Sequence, residues 1–116
     1  METYLILRRN GWRTADELQA AARRSTAEGE RMADDVHWIR SYVLAETDGS
    51  LGTVCIYQAS SPEAIRRHAY AAALPVDEIV AVADTLVVRP DRQRSQPDTS
   101  PRTISTRAST KGRRLV

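Results

Sequence analysis

The chain has 116 residues, enough for one domain, and its net charge of +2 conceals two oppositely charged parts. Residues 1–89 carry 10 Arg against 13 Asp and Glu, whereas residues 90–116 carry 7 Lys and Arg against 2 Asp. An acidic body excludes nucleic-acid recognition by the fold itself, which needs a basic face, a single cysteine excludes an internal disulfide framework, and no apolar run is long enough to span a bilayer.

In chain order, Tyr4, Leu5, Ile6 and Leu7 are β-prone and end at Asn10-Gly11, predicting a first strand closed by a turn. Thr14 followed by Glu17 has the spacing of a capping box. The helix after it places Leu18, Ala22, Ser25, Gly29 and Met32 on one narrow stripe of mostly small residues, able to sit close to a sheet, with Arg24 and Glu28 spaced to pair on its outer face. Val36 to Glu46 and Leu51 to Ala59 are β-branched and aromatic. They flank Thr47-Asp48-Gly49-Ser50, where Asp-Gly predicts a tight hairpin. Ser61-Pro62 caps and opens a second helix reaching about Leu74, before Pro75. Ile79 to Val88 reads as a last strand.

The order β-α-β-β-α-β predicts an α+β, ferredoxin-like arrangement: a four-stranded antiparallel sheet with two helices on one face, spanning residues 1–89. Residues 90–116, rich in Ser, Thr, Pro and Arg, hold too little apolar surface to offset ordering entropy and are expected to form a disordered basic tail. The tail is either a simple solvated extension or a site of weak, salt-sensitive anionic contacts; specific nucleic-acid binding is not expected. With neither basic leader nor cleavage site in METYLILRRNG, the expected location is the cytoplasm, with no membrane partner.

If the hairpin turn has two central residues, Val43 faces Val54 and Ser41 faces Ile56 on one side of the sheet. Tyr42 then faces Cys55, Arg40 faces Tyr57 and Trp38 faces Ala59 on the other. Both faces are then substantially apolar, and the polar tail is unsuited to covering the second. A homodimer through that face is expected.

Trp38, Ser41-Tyr42-Val43, Cys55-Ile56-Tyr57 with Ala59, Glu63, Ile65, His68-Ala69, and Leu74-Pro75-Val76-Asp77 with Val80 and Val82 together resemble a domain-of-unknown-function family of ferredoxin-like dimers that includes an actinobacterial nickel-binding protein. The resemblance covers about residues 3–90. It implies a divalent transition metal, nickel first, as cofactor. Three positions depart from the family pattern: Leu7-Arg8 replaces a Glu-Arg pair, removing one carboxylate; the hairpin loop is longer; and Ala73 stands where a Gly often ends the second helix.

His37 and His68 are the only imidazoles, ligands suited to nickel, zinc or copper, so both are metal-site candidates. His37 lies beside Asp34 and Asp35, which could share a metal or simply form a solvated acidic turn. His68 borders the apolar stripe of Ile65, Ala69 and Ala72, as a ligand or as a helix residue bonded to a carbonyl. Cys55 reads as a small buried hydrophobe, and Glu63 as a charge at a helix N-terminus. Trp38, Arg40, Tyr42 and Tyr57 are candidate ligand-binding residues on the second face, for an anionic or aromatic ligand, with dimer packing as the alternative. No acid-base pair, nucleophile-base spacing or phosphate loop is present, which favours a non-catalytic metal-binding protein. The alternatives are a small-ligand-binding domain or cofactor-poor enzyme using a cleft between paired sheets, and a partner-binding protein acting through its tail.

Overall fold

The computed structural model describes residues 1–92. Six elements follow in order: β1 (Glu2–Trp12), α1 (Ala15–Arg31), β2 (Val36–Ala45), β3 (Leu51–Ala59), α2 (Pro62–Ala71) and β4 (Glu78–Ala81). They form one antiparallel sheet in the order β2-β3-β1-β4, with both helices packed on one side. This is the ferredoxin-like arrangement. From residue 93 onward, the expected basic tail lies outside the described residues.

Local chemistry explains the helix ends. Thr14 Oγ1 accepts the Glu17 amide at 3.1 Å, satisfying one free helix-end donor, and the Glu17 carboxylate reaches back to the Arg13 amide just before the cap at 2.8 Å. Ser61 Oγ accepts the Ala64 amide at 3.1 Å, and Pro62 sits at the first helical position, where no amide is needed.

α2 is shorter than expected, ending at Ala71 rather than Leu74. Leu74 N donates to Ala69 O and Ala73 N to Tyr70 O, the paired bonds of a Schellman closure, with Ala73 at φ 57°. Pro75 disfavours helical geometry at Leu74 and so forces the stop. Arg24 caps this end from outside, donating to Ala72 O at 2.8 Å and Ala73 O at 3.4 Å. The expected Arg24–Glu28 pair is therefore not made: the orphan carbonyls of α2 claim the guanidinium, and Glu28 pairs with Arg31 at 2.5 Å.

The last strand is also shorter, ending at Ala81 instead of Val88. Ala81 pairs with Tyr4, and Val82 N still donates to Thr3 O, but β1 begins at Glu2 and so offers no partner to Leu86, Val87 or Val88. Leu86, Val87 and Val88 are accordingly exposed.

The hairpin register differs from expectation for a countable reason. Gly49 N donates to Glu46 O and Glu46 N to Ser50 O, enclosing three residues with Gly49 at φ 88°, rather than two. A turn closed by a left-handed Gly adds one residue to the loop, so Tyr42 faces Val54, Ser41 faces Cys55 and Val43 faces Thr53. A second irregularity at Ile39 then sets Trp38 opposite Tyr57. β1 carries its own interruption between Arg8 and Trp12, where Asn10 takes φ 51°, a conformation Asn tolerates well.

The core lies between helices and sheet, built from Tyr4, Ile6, Val36, Tyr57, Ala59 and Ile65, with Cys55 and Ala64 among them. Burying the larger side chains contributes about 1.5–3 kcal/mol each relative to leaving them exposed. Ala21 and Ser25 are the buried residues of α1, which lets that helix approach the sheet closely.

Candidate functional site

Alternation along the strands sorts the candidates. On the helix-covered face, Trp38, Tyr57 and Tyr4 form one cross-strand row, and Ser41, Cys55 and Ile6 the next. On the open face, Arg40, Ile56, Leu5 and Val80 form one row, and Tyr42, Val54 and Leu7 another. The expectation that Trp38, Arg40, Tyr42 and Tyr57 share a face is thus corrected. Trp38 stacks on Tyr57 at 6.2 Å between ring centres beneath the helices, whereas Arg40 and Tyr42 belong to the open face, where Tyr42 is exposed. The extra loop residue and the irregularity at Ile39 are the cause.

The same sorting separates the imidazoles. His37 pairs with Gln58 at one end of the open face and is exposed. His68 is fully buried on the other side of the sheet, its Nε2 bonded to Ser25 O at 3.0 Å and its ring edge-on to Tyr57 at 5.6 Å. Because a carbonyl only accepts, Nε2 carries the proton and Nδ1 is bare. Burial depresses the His68 pKa below its usual value, and nearby Arg8 pushes the same way against the Ser25 hydrogen bond and Glu28. The ring is held neutral.

Around it lies a polar group within the core. Tyr57 Oη and Ser25 Oγ are 3.2 Å apart, and burial pushes the Tyr57 hydroxyl pKa up. Arg8 is 1% exposed and donates from Nη1 to Pro75 O at 3.0 Å. Its Nη2 and His68 Nδ1 are the two buried side-chain polar atoms without a hydrogen-bond partner among the described residues. Cys55 is buried, its Sγ between Ser41 Oγ at 3.0 Å and Thr53 Oγ1 at 3.4 Å. Asp35 Oδ1 accepts from Ser60 Oγ at 2.9 Å and so ties the turn before β2 to the end of β3.

Sequence reasoning did not single out Arg8. The signal available was a lone cation within the apolar alternation Tyr4, Ile6, Arg8, the period-two pattern that places it on the inward face.

The sequence profile of the nickel responsive protein SCO4226-like family matches residues 4–82. The chain belongs to this family. Its structure is similar to the crystal structure of SCO4226 from Streptomyces coelicolor A3(2), with 22% sequence identity, a TM-score of 0.57, and coverage of 72% of this chain and 99% of that one. That likeness establishes the shared fold. No curated protein matches the chain.

A nickel ion needs several convergent donors, with imidazole among the suitable ones. Among the described residues no three His, Cys, Asp or Glu side chains are grouped closely enough to hold a metal. The imidazoles stand on opposite sides of the sheet, and His68 has a buried cation near it. Within one copy, the described residues therefore do not supply a fitting nickel site. Among the described residues, no helix is long and apolar enough to cross a membrane.

Proposed function

We propose that this protein is a non-catalytic binding protein for a divalent transition metal, nickel first, and that the metal is held between two copies by His37. Membership of the nickel responsive family over residues 4–82 is the observation that carries the reading. Two features support its form. His37 is the exposed imidazole, and it lies on the same face as Leu5, Leu7, Tyr42, Val54, Ile56 and Val80, apolar residues that the helices do not cover. Pairing two such faces buries them and doubles the imidazoles on that side, with Asp34 as a nearby carboxylate. His68 serves the fold in this reading.

The test is calorimetric nickel titration of untagged protein, with light scattering before and after metal. One nickel per two chains, lost in His37→Ala and kept in His68→Gln, is the expected result. Binding of one nickel per chain that survives His37→Ala refutes the shared site, and the absence of any binding refutes the metal function.

A further inference from the structure

Between α1 and the sheet lies a cavity of about 490 Å³, within the size range of small-molecule pockets. Its walls include Trp12, Leu18, Trp38, Val43 and Leu74, and Arg8 lines it as well. Trp38 is 38% exposed, so the cavity has a route to solvent along this ring.

Arg8 is unusual in this setting. Its side chain is almost wholly buried, and the ion pairs among the described residues are Arg9–Glu46 and Arg31–Glu28, neither of which involves it. Buried cations are normally matched by an anion, because desolvation of an uncompensated charge is costly. One side of the guanidinium is fixed by Pro75 O, while Nη2 is left without a partner. A pinned, planar donor beside an apolar chamber is suited to a carboxylate whose body is hydrophobic. Of the two arginines in the lining, Arg23 is exposed on α1 and only Arg8 is buried, so the charge inside the chamber suits a monoanion better than a phosphate.

We propose that this cavity binds a small hydrophobic carboxylate, with Arg8 holding the carboxylate and the tryptophan-lined walls holding the apolar body. The site is independent of metal and of pairing through the open face.

Both tryptophans of the chain line the cavity, so occupancy is readable by their fluorescence. The experiment titrates 2-naphthoate and decanoate into the untagged full chain by tryptophan emission and calorimetry, with neutral 2-naphthamide as control. Saturable binding of at least one carboxylate, with the amide weaker, is expected. Arg8→Met keeps similar bulk, and loss of a charge-assisted hydrogen bond should weaken carboxylate binding by about 10- to 100-fold while leaving the amide unchanged. Ala22→Phe retains Arg8 but fills the chamber from α1 and should abolish binding of all three compounds. It decides the matter should Arg8→Met fail to fold. The proposal is overturned if neither carboxylate binds saturably up to millimolar concentration, if the amide binds equally well, or if either folded variant binds as the wild type does.

Discussion

Gly52 offers the sharpest quantitative test of the sheet geometry. A Cβ built there would stand 2.6 Å from Arg8 O and 3.3 Å from Arg9 Cα, and would also collide with the Glu46 carboxylate. Glu46 can swing away, at the expense of its contacts to Arg9 and the Asn10 amide. The β1 backbone cannot, because Arg8 lies in a ladder that pairs it with Thr53. Two effects compete in Gly52→Ala. Replacing a strand glycine favours the variant by roughly 0.5–1 kcal/mol through backbone entropy, whereas overpacking costs about 1–3 kcal/mol. Since the obstacle that remains once Glu46 has moved is main chain, the upper part of that range applies and the net loss should be about 1–2 kcal/mol. For a domain of this size that lowers the unfolding midpoint by about 4–16 °C. Urea and thermal unfolding of wild type, Gly52→Ala and the double variant with Glu46→Ala measure it. The double variant should recover little, because it removes only the movable obstacle. A Gly52→Ala protein as stable as wild type would refute the account of β1 and β3 approaching at this point.

Two further outcomes are expected. Ala73 occupies a left-handed position at the close of α2, so Ala73→Gly should stabilise the protein by about 1 kcal/mol, seen as a higher urea midpoint with unchanged slope. Burial lowers the pKa of His68 from its usual 6.5, so the unfolded chain binds more protons than the folded one between the two values. Stability should be full above about pH 6.5 and decline as pH falls through the folded-state pKa. His68→Leu should flatten urea stability across that window, and a slope unchanged by the substitution would contradict the neutral buried ring.

The element order was legible because each boundary carried its own chemistry: Thr14 with Glu17, Asp48 with Gly49, and Ser61 with Pro62. Each of these signals is local and acts through a backbone group within a few residues. What eluded sequence reading depended on partners distant in the chain. Arg24 turned from its helical neighbour Glu28 to carbonyls 48 and 49 residues away. The last strand stopped where β1 ran out, which nothing in the segment up to Val88 could reveal. The candidate site suffered most, because alternation converts a one-residue loop error into the wrong face for a whole strand. Cys55 and the carbonyl-bonded alternative for His68 needed only a correct sense of burial. Arg8 was concealed by the habit of reading charge as surface.

The irregularity at Ile39 has a consequence for how the protein behaves in a crowded solution. It lies in β2, one outer strand of the sheet, while the other outer strand, β4, has only four residues. An interrupted ladder and a truncated one are both poor templates for a foreign strand. Sideways growth into fibrils is therefore discouraged at both margins, which leaves the broad apolar surface of the sheet as the direction from which another chain can approach productively.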